Sequence, residues 1–318
     1  MYYLYSKYCS IIYSFALASL LAGPAVNSAA AQDATLEFNQ GDNVAIIGNT
    51  MADRMQHHGW LETYLQALHP DLELTFRNLG FSGDEVNNRP RSESFGDADQ
   101  WLAKCEADVV FCFFGYNEAL RGEDELNEFK KNLAAMIDGM RAQKYNGESA
   151  PRLVVFSPIA HENLYSPHLP DGTENNEKLA VYTEAMQQVC EDKEVLFIDL
   201  FTPSKKYYTI SKQPMTMNGI HLLDYGNQVV AGEIVRKLFP GKTAQAPVAK
   251  LREAVLDKNY HWFSRYRVVD GYNVFGGRSK LAWHGQSNAD VMRREMEIFD
   301  VMTANRDQRI WAIAQGGD

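Results

Sequence analysis

The strongest constraint on the fold is a regular alternation between residues 43 and 240, where short apolar runs are separated by longer amphipathic segments. Five of these runs are predicted to form strands, at 43–47, 72–77, 109–114, 153–157 and 195–200. Amphipathic helices are predicted between and after them, at 52–68, 125–141, 175–190 and 222–238. Because the strands are apolar throughout, both faces of the sheet should be buried. This pattern indicates an α/β protein with a parallel sheet.

The first 31 residues have the features of a secretory signal. An apolar run from Ile11 to about Val26 is followed by small residues that include Ala29-x-Ala31, which suits cleavage before Gln32. We therefore expect an exported protein. A retained N-terminal anchor is the alternative, although the run is short for a membrane span. No other segment is apolar enough to cross a bilayer, so no transmembrane span is expected in the mature chain.

The rest of the chain divides at a polar linker. Residues 41–241 are expected to form the α/β domain, and 250–318 a mostly helical, aromatic-rich extension. The formal net charge of −10 argues against a nucleic-acid partner. The cysteines lack metal-type spacing and no phosphate-binding loop is present, so neither a metal nor a cofactor is expected.

Chemically useful side chains follow the predicted strands. Ligands of such sheets bind at the carboxyl ends of the strands, which all lie at one edge. Thr50 brings a hydroxyl after the first strand, and Asn117 an amide after the third. Gly83 follows the second strand, and His221 precedes the last helix. Together they are the components of acyl transfer: a nucleophile, a general base and donors for an oxyanion.

In this order the residues resemble the SGNH hydrolases, the GDSL-like lipase/acylhydrolase superfamily, over about residues 41–240. Four short blocks carry the resemblance: Gly48-Asn49-Thr50 for Gly-Asp-Ser, Phe81-Ser82-Gly83-Asp84 with the oxyanion glycine, Gly115-Tyr116-Asn117-Glu118 for Gly-x-Asn-Asp, and Asn218-Gly219-Ile220-His221 for Asp-x-x-His. The resemblance implies a flavodoxin-like three-layer α/β/α sandwich. It also implies hydrolysis of carboxylic esters, often acyl groups on carbohydrates or lipids.

The same resemblance assigns roles at the site. Thr50 would attack the ester, His221 would act as base and Asn218 would hold His221. Gly83 and Asn117 would form the oxyanion hole. Further residues near the same edge are candidates for lining the pocket: Asn49, His161 and Glu118.

Two positions depart from the family pattern. Thr50 replaces a serine and adds a methyl group beside the attacking oxygen. Asn218 replaces an aspartate, a change that costs on the order of 10⁴ in rate in a serine-type triad. Other carboxylates could compensate if they reached His221: Asp53, Asp84, Glu118 and Asp224.

Three hypotheses follow. The first is an exported hydrolase with atypical or weak activity on a small-molecule or glycan ester. The second is a catalytically degenerate module of a larger exported protein that binds an acyl or sugar ligand without turnover. The third is an interaction module built around the C-terminal rings. Those rings would either stack on sugars or pack the extension onto the core: Tyr260, Trp262, Phe263, Tyr266, Tyr272, Phe275 and Trp283.

Overall fold

Five parallel strands form the central sheet of the computed structural model, which describes residues 36–242, 248–268 and 271–317. The predicted signal peptide at 1–31 lies outside the described residues. The sheet order is β2-β1-β3-β4-β5. This is the flavodoxin-like order, so the predicted fold is confirmed. The strands are β1 (Asn43–Gly48), β2 (Thr75–Asn78), β3 (Val109–Phe113), β4 (Arg152–Phe156) and β5 (Leu196–Ile198).

Helices connect these strands and cover the sheet. They are α1 (Thr50–Met55), α2 (Trp60–Leu68), α3 (Ala98–Lys104), α4 (Tyr116–Ala119), α5 (Leu126–Arg141), α6 (Thr173–Asp192), α7 (Phe201–Ile210) and α8 (Asp224–Leu238). Residues of opposite parity along a strand point to opposite faces, so β1, β3 and β4 each contribute to two cores. Ile46 and Phe111 cluster with α1, α2 and α8, whereas Ile47 and Cys112 cluster with α3, α5 and α6.

The prediction of a single helix over 52–68 is wrong. Gly59 adopts a left-handed conformation with φ of 69° and separates α1 from α2. The apolar period continues across this break, because residues of both helices pack on the same core. The short helices α3 and α7 were not predicted from the sequence.

The C-terminal region is mostly helical, as predicted. Its elements are α9 (Val248–Arg267), α10 (Gly271–Val274), an antiparallel pair of β6 (Ala282–Trp283) with β7 (Gln286–Ser287), and α11 (Asn288–Ala314). The last helix, α11, is 27 residues long.

Buried ion pairs join these helices to the edge of the sheet. Lys258 on α9 is fully buried and its Nζ lies 2.8 Å from the carboxylate of Glu62 on α2. Arg77 of β2 binds Asp307 of α11 through two hydrogen bonds of 3.1 and 2.5 Å. Burial lowers the pKa of Lys258 and raises the pKa of Glu62. Charges buried this deeply require their partners, so the extension is an integral part of this edge.

The described residues contain neither a candidate membrane span nor a candidate metal site. None of the helices there has the length and apolar character that crossing a bilayer requires. No cluster of three histidine, cysteine or acidic side chains suited to a metal ion was found in those ranges. Cys105, Cys112 and Cys190 are free thiols.

Candidate active site

A cavity of about 230 Å³ opens at the carboxyl edge of the sheet. It lies where the strand order reverses, between the loops after β1 and β3, which is the usual ligand position in such sheets. Three predicted site residues line it, namely Thr50, Asn117 and His221, together with the pocket candidate Asn49. The rest of the wall is largely apolar and includes Phe113, Phe114, Ile159, Ile220 and Leu222.

The turn after β1 presents Thr50 to the cavity. Gly48 has φ of 143°, and a Cβ there would lie 2.1 Å from the carbonyl oxygen of Phe113, so only glycine fits. Asn49 caps α1, because its Oδ1 accepts a 3.1 Å hydrogen bond from the amide of Met51. Thr50 is the first residue of α1, and its hydroxyl forms no hydrogen bond with another described residue. That hydroxyl is therefore available to a ligand.

Asn218 orients His221 through its side-chain oxygen. Oδ1 accepts hydrogen bonds from the backbone amides of Ile220 at 3.3 Å and His221 at 3.0 Å. The same oxygen lies 3.1 Å from Nδ1 of His221. The two backbone donors determine which way the amide faces, because the NH₂ group could not accept from them. We infer that Nδ1 carries the proton, which leaves Nε2 as the proton acceptor.

Two of the carboxylates that could have assisted His221 are engaged elsewhere. Asp53 accepts from Ser82 at 2.7 Å and pairs with Arg267 at 3.0 Å. Glu118 is buried, and its carboxylate accepts from the amides of Val86 and Gly115 at 2.9 and 3.0 Å. Glu118 therefore braces two loops and does not line the cavity, although it was a candidate for doing so.

The other two carboxylates are also paired away from the imidazole. Asp84 forms a two-point ion pair with Arg91. Asp224 contacts Arg252 and lies 3.1 Å from Nδ1 of His58. Burial lowers the pKa of His221, and the positive charge of Arg54 lowers it further. Within the described part of the chain, His221 thus has an amide partner and no carboxylate partner.

The predicted oxyanion donors come from neighbouring loops. One hydrogen of the Asn117 amide is donated to the carbonyl of Asp84 at 3.1 Å, which leaves the second for a ligand. Gly83 immediately precedes Asp84, is exposed and has φ of 87°. It is not among the residues lining the cavity. The contact from Asn117 to Asp84 nevertheless ties the two donor loops together.

Helix α9 holds the loop that carries Gly83. The indole of Trp262 donates to the carbonyl of Asn78 at 2.7 Å, and the hydroxyl of Tyr266 donates to the carbonyl of Leu79 at 3.1 Å. The guanidinium of Arg267 lies 3.4 Å from the ring centre of Phe81. These rings pack the extension onto the core. Trp262 and Tyr266 are buried, and none of the C-terminal rings lines the cavity.

His161 lies behind the cavity wall and does not line it. Its ring is buried, with Nδ1 3.2 Å from the amide nitrogen of Asn175, which also donates to the hydroxyl of Tyr116 at 2.9 Å. Tyr116 does line the cavity. Nε2 of His161 is buried directly under Gly219 and has no hydrogen-bond partner in the described part of the chain. Burial lowers the pKa of this histidine.

A buried carboxylate shapes the loop that carries Asn218. Glu162 accepts from the amide of Met215 at 3.0 Å and from the hydroxyl of Thr216 at 2.6 Å. That hydroxyl in turn accepts from the amide of Gly219 at 2.9 Å. Glu162 thereby supports the backbone on which Asn218 and His221 lie.

The sequence reasoning missed Arg54 and gave Tyr116 no role, although both line the cavity. A signal for Arg54 was present. It stands four residues after Thr50, a spacing that places both side chains on one face of a helix.

Comparisons with known proteins agree with this architecture. The sequence profile of the GDSL-like Lipase/Acylhydrolase family matches residues 41–229. A search of curated proteins gave no significant match. A catalytic mutant of an acetylxylan esterase from Geobacillus stearothermophilus aligns with a TM-score of 0.51 and 16% identity, over 64% of this chain and 97% of that one. This degree of likeness shows a shared fold.

A gut microbial diltiazem-metabolizing enzyme aligns with a TM-score of 0.49 and 18% identity, over 65% of this chain. The chain spans 49% of that enzyme's length. The family profile, in contrast, covers more than half of the 318 residues. The chain therefore belongs to the GDSL-like lipase/acylhydrolase family.

Proposed function

We propose that this hydrolase cleaves carboxylic esters of acylated carbohydrates outside the cell, with Thr50 as nucleophile and His221 as general base. The orientation of Asn218 carries the proposal. Its Oδ1 is held by two backbone amides and lies against Nδ1 of His221, so Nε2 is the free acceptor. An asparagine in the opposite orientation would impose the wrong tautomer, which is the defect that makes this substitution so costly in a serine-type triad.

The reaction proceeds in two steps. Nε2 of His221 takes the proton from the Thr50 hydroxyl as Oγ1 bonds to the acyl carbon, and the same proton then goes to the departing alcohol. In the second step, water gives a proton to Nε2 of His221 and attacks the acyl group on Thr50. The acid is released and the proton returns to Oγ1 of Thr50. The free amide hydrogen of Asn117 stabilises the oxyanion.

Weak activity is part of the proposal. Asn218 orients the imidazole but carries no charge to stabilise its protonated form. Arg54 and burial both disfavour that form, since each lowers the pKa of His221. The methyl group of Thr50 further restricts the nucleophile. We therefore expect turnover well below that of a serine-aspartate enzyme.

Substrate class and location depend on other observations. The apolar run to about Val26 and the Ala29-x-Ala31 sequence support export. The acetylxylan esterase of similar fold supports acylated carbohydrate as the substrate class. The cavity has room for a small acyl group between apolar side chains.

A binding module without turnover is the second candidate. It is favoured by the lack of any hydrogen bond between the Thr50 hydroxyl and another described residue, and by the lack of a carboxylate partner for His221 among those residues. In this case the cavity would retain an acyl or sugar ligand unchanged.

Hydrolysis of 4-nitrophenyl acetate and of acetylated xylo-oligosaccharides by the purified chain distinguishes the two. We expect turnover that is lost in Thr50→Ala and His221→Ala and retained in Thr50→Ser. Matched controls are Thr209→Ala and His168→Ala, which alter exposed residues away from the cavity. Equal turnover in Thr50→Ala would reject Thr50 as nucleophile. Calorimetric binding of the oligosaccharide with no product would favour the binding module.

A further inference from the structure

Arg54 carries a positive charge at the wall of the cavity. The side chain is half-buried, and its Nε has no hydrogen-bond partner among the described residues; Nη2 lies 3.9 Å from the sulfur of Met217. Among those residues, no acidic side chain pairs with it. The cavity lining contains no aspartate or glutamate. A cation that is partly withdrawn from water without a partner costs free energy, so an anionic ligand is favoured there.

Other arginines close to the site have carboxylate partners. Arg91 pairs with Asp84, Arg267 with Asp53 and Arg121 with Glu85. The carboxylates of Asp84, Asp53 and Glu85 are therefore already paired. Arg54 differs because it lines the cavity and has no carboxylate partner among the described residues.

The position of Arg54 relates it to the reacting atoms. Thr50 and Arg54 are four residues apart on α1 and both line the cavity. Four residues advance a helix by roughly 6 Å along its axis. Both side chains therefore reach the cavity from the same face of α1, where one small ester could contact both.

We propose that Arg54 is a substrate-recognition residue that binds a carboxylate carried by the ester substrate. A planar guanidinium matches a carboxylate in shape, and one unpaired cation matches its single charge. A bound carboxylate would also offset the charge of Arg54 beside His221, whose triad partner Asn218 is neutral. The preferred substrate is then an acidic ester. This inference deepens the proposed function and rests on it for the reaction, but not for the binding.

Matched esters test the proposal. We would compare kcat/KM for 4-acetoxybenzoate with that for its neutral analogue 4-acetoxybenzamide, and mono-(4-nitrophenyl) succinate with the corresponding succinamate. The two pairs place the carboxylate on either side of the scissile bond. At least one acidic ester should be preferred by roughly 10- to 100-fold, the effect of one charge-assisted pair. A third probe, 4-acetoxyphenyl phosphate, should be the poorer anion; a preference for it over both carboxylates would overturn the assignment of a carboxylate.

The ratio of kcat/KM for the acidic ester to kcat/KM for its neutral analogue should fall close to one in Arg54→Gln. Arg54→Lys should keep part of this preference. Arg293→Gln removes the same charge from an exposed position on α11 and should leave the preference unchanged. Equal rates for acidic and neutral esters in the unaltered protein would overturn the inference while leaving ester hydrolysis standing.

Binding separates the inference from the proposed reaction. Calorimetry with 4-acetoxybenzoate would use Thr50→Ala and the double variant Thr50→Ala/Arg54→Gln. Binding that weakens about tenfold or more in the double variant supports the carboxylate site even if no ester is ever turned over. Equal binding by the two proteins rejects it.

Discussion

Oδ1 of Asn218 lies 3.1 Å from Nδ1 of His221 and also accepts two backbone amides. The loop thus preserves the orientation of the imidazole after the family's carboxylate has been replaced. What the substitution removes is negative charge. Geometry and charge, which a triad aspartate supplies together, are separated in this protein.

Asn218→Asp should therefore raise kcat/KM. A carboxylate at this distance stabilises the protonated imidazole and raises the pKa of His221. We expect a gain of roughly 10- to 1,000-fold, below the ~10⁴ known for a triad that also loses its tautomer. Steady-state kinetics on 4-nitrophenyl acetate measure it, with Asn218→Ala as the matched variant that loses orientation as well. An unchanged rate in Asn218→Asp would show that charge on His221 is not limiting.

The pH dependence should reflect the surroundings of His221. Burial and Arg54 both lower its pKa from the usual 6.5. The base is active when neutral, so kcat/KM should fall as pH drops through a value below 6.5. Removing the positive charge in Arg54→Gln should raise the pKa and move this acidic limb to higher pH. A limb that stays in place, or moves downward, would contradict the assignment of His221 as the titrating base.

The extension should affect catalysis through the loop after β2. Tyr266→Phe removes the hydrogen bond to the carbonyl of Leu79 and leaves that buried oxygen unpaired. We expect a loss of about 1–3 kcal/mol in unfolding free energy and a lower kcat with little change in KM. Urea denaturation and kinetics would be measured together. Tyr260→Phe, on an exposed position of the same helix, is the control and should change neither quantity.

The buried pair of Lys258 and Glu62 should be costly to break. Lys258→Met leaves the Glu62 carboxylate buried without its cation, and we expect a loss of about 3–5 kcal/mol in unfolding free energy. The double variant Lys258→Met/Glu62→Gln should recover most of that loss, because no charge is then stranded. Denaturant midpoints for the three proteins provide the comparison. Equal destabilisation of the single and double variants would argue against an electrostatic origin.

Much of the fold could be predicted because its signals are local. Strands buried on both faces are apolar at every position, and this marked β1, β3 and β4 to within about a residue. The carboxyl ends of parallel strands lie at one edge, so the sequence alone predicts that Thr50, Asn117 and His221 lie near one another. The break at Gly59 could not be predicted in this way. The apolar period continues across it, because the two helices pack on one core although the chain changes direction between them.

The electrostatics of the site depended on the tertiary structure. Asp53, Asp84 and Asp224 were all candidates in the sequence. Asp53 and Asp224 have partners far away along the chain, whereas Asp84 pairs with Arg91, seven residues on. Arg54 gained its importance only from the absence of such a partner within the described residues. The sequence by itself determined which chemical groups follow which strand. Tertiary packing decided which charges neutralise one another, because ion pairs between distant segments leave no periodic trace in a single sequence.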